Sequence, residues 1–185
     1  MASRLRVFIP SLLGLLLFSC IAPARAGTVR RAAPALKGPL DTVRRAVVAY
    51  QAGDYSSARK LLGGLADKGA LATLRSRDYL LYLLGESELL QAEETGDRRL
   101  LQSALKHLRE LEKISQSPLV ALARVRLGDC LLKLAPDGKS DTEAGSLFRA
   151  ALSANRTDTD TAVLRFRLGE IAERGGKKND AREHK

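Results

Sequence analysis

Apolar residues recur with the spacing of one helix face from Asp41 onward, and the dipeptide Leu-Gly marks this pattern at a near-constant interval. Leu84-Gly85, Leu127-Gly128 and Leu168-Gly169 are separated by 43 and 41 residues. A second amphipathic segment follows each dipeptide, with an alanine where two helices must approach closely. A pair of short helices cannot bury its apolar face alone, so the recurrence predicts helix pairs stacked into a solenoid. The alanines are Ala104, Ala144 and Ala181, and Ala46 and Ala58 occupy the glycine and alanine places of an earlier copy.

The pattern predicts an all-α domain over residues 41–185 that contains about three and a half helix pairs. Asp41 is a suitable N-cap for the first helix. The last helix begins at Asn179 and is too short to cover the helix before it, so Val163–Ile171 should be less well covered than its counterparts. We therefore expect the chain to be part of a longer polypeptide. The preceding helices are predicted near residues 41–52, 56–66, 78–94, 101–111, 118–134, 141–154 and 161–174.

The N-terminal residues resemble an export signal and are excluded from the predicted domain. Two arginines precede an apolar run at residues 7–18, and Ala24-Arg25-Ala26 is a suitable cleavage site. The apolar run is too short for a stable membrane anchor. We predict a signal peptide at residues 1–26 and a flexible linker at 27–40, where Pro34, Gly38 and Pro39 disfavour a helix. The alternative is lipidation of Cys20, because Leu17-Phe18-Ser19-Cys20 resembles the bacterial lipobox.

Export changes how the basic composition is interpreted. Without Arg4, Arg6 and Arg25 the net charge falls from +10 to +7. We expect a periplasmic or secreted protein, or a membrane-tethered lipoprotein if Cys20 is lipidated. Such a chain rarely meets nucleic acid, and four Tyr, four Phe and no Trp give little support for base stacking. The expected partner is a protein or peptide of the cell envelope, an anionic lipid or a cell-wall polymer.

Charged residues recur beside the repeat glycine. Glu86, Asp129 and Glu170 follow it directly, Arg126 and Arg167 precede it by two residues, and Arg44 has the same place in the earlier copy. One interpretation is a solvated helix surface, with Asp129 paired to Lys133 and Glu170 to Arg174 four residues on. The other is a concave groove, lined by these six residues, that holds a peptide or protein. In that groove Arg126 and Arg167 would favour an acidic partner.

Residues suited to catalysis or metal binding are not grouped in this sequence. His107 and His184 are far apart and lack neighbouring ligands, so we expect no metal site. Glu93, Glu94, Asp158 and Asp160 fall at helix ends and in polar connections, where exposure explains them. Cys130 lies within an amphipathic helix and is expected to be a small buried side chain rather than a reactive thiol. No cofactor motif and no catalytic residue is predicted.

Two segments carry a resemblance to the tetratricopeptide repeat. Gly53-Asp54-Tyr55 is followed by Ala58 and Leu62, and Leu168-Gly169 is followed by Gly176 and Ala181. The resemblance spans residues 41–185 and implies a superhelical stack of helix pairs. It consists of packing residues, and therefore implies a fold more than a function.

A narrower resemblance covers RDYLLYLLGESELL, SPLVALARVRLGDCLLKL and AVLRFRLGEIAERGG. These segments are similar to the N-terminal superhelical region of soluble lytic murein transglycosylases, in which a catalytic domain that cleaves peptidoglycan follows. That domain contains a Glu-Ser pair and a Gly-Leu-Met-Gln segment. Glu86-Ser87 is not that pair, because Met1 is the sole methionine and Glu86 occupies a repeat position. We expect a non-catalytic scaffold of the cell envelope, or alternatively the superhelical part of such an enzyme.

Overall fold

A computed structural model describes residues 38–136, 138–154 and 158–175 of the chain. Over these ranges the regular secondary structure is entirely α-helical, as the apolar spacing predicts. The predicted signal peptide, Cys20, and the helix after Asn179 lie outside the described residues. The helices are α1 (Pro39–Gln51), α2 (Tyr55–Asp67), α3 (Ala70–Thr73), α4 (Arg77–Thr95), α5 (Arg98–Glu112), α6 (Val120–Leu134), α7 (Asp141–Ala154) and α8 (Asp158–Arg174).

Helix α1 begins two residues before the predicted N-cap. Gly38 is its cap, and Pro39 occupies the first turn, where a missing N–H costs nothing. Asp41 lies within that first turn instead, where its negative charge interacts favourably with the positive end of the helix dipole. Pro39 and Leu40 therefore belong to the helix and not to the predicted linker.

The other boundaries differ by small amounts. The one-turn helix α3 was not predicted, because a four-residue helix is too short to show periodicity. Helix α6 starts at Val120 rather than Pro118, and α8 starts at Asp158 rather than near Thr161. The predicted bounds of α7 match the structure.

Turn residues end and begin the helices as their chemistry requires. The Asp54 carboxylate accepts a hydrogen bond of 2.9 Å from Ser57 N at the start of α2. Gly96 follows α4 with a φ of +73°, a left-handed conformation that favours glycine. Asp97 then caps α5 by accepting a bond of 2.9 Å from Arg99 N.

The repeat glycines allow close contact between the two helices of a pair. A Cβ on Gly85 would lie 2.7 Å from Leu108 Cγ, and one on Gly128 would lie 2.5 Å from Phe148 Cζ. Both distances are shorter than a carbon–carbon contact. The first helix therefore needs glycine wherever the second helix presents a large side chain. The predicted small alanines at positions 46, 58, 104 and 144 are all fully buried.

Each helix packs mainly against its neighbours in the sequence. Helix α2 contacts α1 and α4, α5 contacts α4 and α6, and α7 contacts α6 and α8. The first helices of successive pairs also touch, α1 against α4 and α4 against α6. None of the described helices has the length and apolar character needed to cross a membrane.

Candidate functional site

A buried ion pair connects the first helices of the second and third pairs. Arg126 on α6 donates from Nε and Nη2 to Glu86 Oε1 on α4, at 3.0 and 2.5 Å. Glu86 is only 5% exposed. The Tyr50 hydroxyl on α1 donates to the other carboxylate oxygen at 2.6 Å. Three helices thus meet at one carboxylate.

The same arrangement continues one copy further on. Arg167 Nε on α8 lies 3.3 Å from Asp129 Oδ1 on α6, and Arg167 Nη1 lies 2.9 Å from Glu170 in its own helix. Arg126 Nη1 lies 3.6 Å from Asp129 and joins the two groups. We call the set Glu86, Arg126, Asp129, Arg167 and Glu170 the acid–arginine ladder.

The ladder follows a rule of repeat register. The acid directly after the glycine of one copy binds the arginine two residues before the glycine of the next copy. Glu86 and Arg126 obey it, and so do Asp129 and Arg167. The ladder therefore connects helix pairs to one another rather than residues within one helix.

Burial and neighbouring charge perturb the ladder electrostatically. Burial raises the pKa of Asp129, although Arg167 and Arg126 oppose the shift. Burial alone would lower the pKa of Arg126, yet Glu86, Tyr82 and Asp129 together raise it above its ordinary value. Burial, and then Glu86, raise the pKa of both Tyr50 and Tyr82. The arginine stays charged and the tyrosines stay neutral as hydrogen-bond donors.

Several sequence-based expectations about these charges are wrong. The interpretation as a solvated surface fails because Glu86 and Asp129 are buried. Lys133 lies 3.2 Å from Glu93 on α4, not against Asp129, and Arg174 lies 3.2 Å from Asp141 on α7, not against Glu170. These long side chains extend to neighbouring helices, which spacing along one helix could not reveal.

Arg44 does not join the ladder. Its Nη2 lies 3.2 Å from Asp41 Oδ1 in the same helix, and the arginine side chain is 74% exposed. The structure thus brings together five of the six predicted groove residues.

A second buried carboxylate was missed by the sequence analysis. Glu88 accepts a bond of 2.7 Å from Ser103 Oγ, and its other oxygen lies 2.8 Å from His107 Nδ1. Both partners are on α5, so the cluster connects the two helices of one pair. The spacing of Ser103 and His107, one helical turn apart, was the available signal.

Cys130 is a fully buried side chain, as predicted. Burial raises its thiol pKa to about 12, which leaves almost no thiolate at neutral pH. Among residues 38–136, 138–154 and 158–175, no three His, Cys, Asp or Glu side chains are grouped to hold a metal ion.

Apolar side chains that are exposed or half-buried recur at fixed places on the first helices. The positions six and three residues before the repeat glycine, or before Ala46 in the first copy, are apolar in every copy, and none is buried. They include four of the five large exposed hydrophobic residues found in the described ranges. The spacing places them on the helix face that carries the acids of the ladder. We call this set the first-helix stripe; it comprises Leu40, Val43, Tyr79, Tyr82, Leu122, Val125, Val163 and Phe166.

The stripe also bears on the predicted poor cover of Val163–Ile171. Leu164 and Leu168 are buried against α6 and α7. Val163 and Phe166 are exposed. Exposure of Val163 is shared with its counterparts Leu40 and Leu122, whereas Phe166 is exposed where Val43, Tyr82 and Val125 are half-buried against the core. The last copy is thus less well covered at Phe166, as predicted.

The sequence matches no protein-family model and no curated protein. The tetratricopeptide and transglycosylase resemblances therefore rest on the segments quoted above.

Proposed function

We propose that this protein is a non-catalytic scaffold of the cell envelope, a tetratricopeptide-like solenoid that holds a protein partner on the first-helix stripe. The supporting observation is that the stripe is apolar in all four copies and that four of its members, Leu40, Leu122, Val163 and Phe166, are large exposed side chains. Large apolar side chains that are exposed on one face of successive helices are typical of an interaction surface.

The ladder supports a particular kind of partner. Its arginines are paired with buried carboxylates, so they have little charge left for an acidic ligand. The stripe beside them offers the exposed aliphatic side chains of Leu40, Leu122 and Val163 and the aromatic ring of Phe166. The expected ligand is a polypeptide segment that presents apolar side chains, rather than the acidic partner that the repeated arginines suggested. The signal-like residues 1–26 support an envelope location.

Site-specific crosslinking tests the proposal. A photoreactive amino acid at position 122 or 166 should crosslink one discrete envelope protein, and Leu122→Asp should abolish the crosslink from position 166. Val48 provides the control, because it is an exposed apolar residue of α1 outside the stripe, 59% exposed compared with 44% for Leu122 and 52% for Phe166. A probe at position 48 should not crosslink that envelope protein, and Val48→Asp should leave its crosslink from position 122 or 166 intact.

Two outcomes would contradict the proposal. Equal crosslinking from positions 48 and 122 would show that the stripe has no preference for a partner. Co-sedimentation with purified sacculi that survives Leu122→Asp would favour the alternative, the superhelical part of a peptidoglycan-cleaving enzyme.

A further inference from the structure

Each end of the ladder's register has one position with no partner from another copy among the described residues. Within the ladder, an acid after the glycine is bound by an arginine from the next copy. In the first copy the arginine position is Arg44 on α1, and in the fourth the acid position is Glu170 on α8. One outer position is therefore a cation and the other an anion.

Neither outer group is buried, and among the described residues each is paired only within its own helix. Arg44 is paired with Asp41 at 3.2 Å, and its side chain is 74% exposed, compared with 26% for Arg126. Among the described residues, Glu170 is paired with Arg167 one turn away, and its side chain is 38% exposed. Exposed pairs of this kind contribute little and exchange readily for others.

The apolar contacts of α1 also differ from those of the first helices in the inner copies. Ser87 and Cys130, two residues after their repeat glycines, are fully buried. Cys130 packs into a core built from α4 and α5, the helix pair that precedes it. Val48 holds this position on α1, yet it is 59% exposed. The position through which α6 packs on the preceding pair is thus largely exposed on α1.

We infer that a second copy of this chain docks head to tail, with α1 of one molecule beside α8 of the other and Arg44 paired to Glu170. Charge complementarity in the established register selects this occupant. The ladder continues across the interface, and Val48 gains cover. The contact uses two different surfaces, so it is heterologous and adds further copies rather than closing as a dimer. This inference is independent of the proposed function.

Sedimentation velocity of the purified chain over a range of concentrations tests the inference. The wild-type protein should show a sedimentation coefficient that rises with concentration and falls with added salt. Arg44→Glu places two acids at the interface, and Glu170→Arg places two cations there. Each variant alone should stay monomeric at concentrations at which the wild type associates.

An equimolar mixture of the two variants provides the decisive measurement. When the variants alternate, every interface joins opposite charges, because the two introduced residues meet at one contact and the native Arg44 and Glu170 meet at the next. Association should therefore return in the mixture. Arg75→Glu, a reversal of another exposed cation, is the control and should associate like wild type. Circular dichroism checks that the variants fold. A wild type that is monomeric throughout, reversals without effect, or a mixture that stays monomeric would each overturn the inference.

Discussion

Replacing Arg126 by methionine tests whether the ladder holds the helix pairs together. The substitution keeps most of the apolar stem but removes the cation from Glu86, which is 5% exposed. The carboxylate would then keep only the Tyr50 hydroxyl as a partner from another helix. A buried charge without its counter-ion is strongly unfavourable. The variant should therefore be much less stable than the loss of a surface arginine would suggest.

The expected magnitude follows from burial. Breaking a buried pair costs about 3–5 kcal/mol, and we expect about 3 kcal/mol because the Arg126 side chain retains 26% exposure. Glu86→Leu should cost less, about 2 kcal/mol, since Arg126 keeps Asp129 at 3.6 Å. The double variant leaves no unpaired charge, and its main cost is the Tyr50 hydroxyl without an acceptor, about 1 kcal/mol. The summed single effects, about 5 kcal/mol, should therefore exceed the effect of the double variant by about 4 kcal/mol.

Urea unfolding followed by circular dichroism measures all four proteins of this cycle. The matched control is Arg109→Met, which breaks a 2.7 Å pair with Glu143 in which both side chains are 53% exposed. That pair should contribute less than about 1 kcal/mol. If Arg126→Met costs no more than Arg109→Met, or if the single effects simply add, the ladder does not stabilise the stack and our reasoning is refuted.

Three further predictions concern packing, tyrosine ionisation and thiol reactivity. Gly128→Ala forces a Cβ against Phe148 and should lower the free energy of unfolding by about 1–3 kcal/mol. Gly64 has open space around it, so Gly64→Ala should instead stabilise α2 by about 0.5–1 kcal/mol. Equal effects of the two substitutions would contradict the close approach of α6 and α7. Because the folded-state pKa of Tyr50 is raised, its stabilisation is present below about pH 10 and lost as pH rises further, so Tyr50→Phe should flatten the alkaline loss of stability measured by urea unfolding. Cys130 should resist a thiol reagent at pH 8 in the folded protein and react in urea, and rapid modification under native conditions would be inconsistent with its burial.

The packing of this fold could be predicted where it depends on local periodicity and on residue size. The Leu-Gly recurrence located first helices, and the small residues that follow marked where second helices approach. Gly85 and Gly128 confirm this, because a side chain at either position would overlap the partner helix. The cap that Asp54 forms on α2 and the left-handed turn at Gly96 likewise depend on a few neighbouring residues in the sequence.

The pairing of charges could not be predicted in the same way. Spacing along one helix suggested Asp129 with Lys133, but Lys133 pairs with Glu93 and Asp129 lies against Arg167. The true pairs join residues about 40 positions apart, and a flexible side chain has many carboxylates within reach. The repeat register contained the answer, because the acid and the arginine occur at fixed places relative to each glycine. Comparing each copy with the next copy, and not only with itself, would have found the ladder.

Net charge was a poor guide to the partner for the same reason. The excess of basic residues suggested an acidic ligand. The two ladder arginines, however, neutralise two buried acids, and more than half of each arginine side chain is buried. A charge that already has a buried partner gains little from a ligand, because binding would have to replace a desolvated contact by a more exposed one. The exposed members of the stripe, Leu40, Leu122, Val163 and Phe166, offer apolar surface that a ligand covers without breaking a desolvated charge pair. Specificity on this surface should therefore come from the shape and size of the stripe side chains, with salt affecting the stacking of copies more than the binding of the partner.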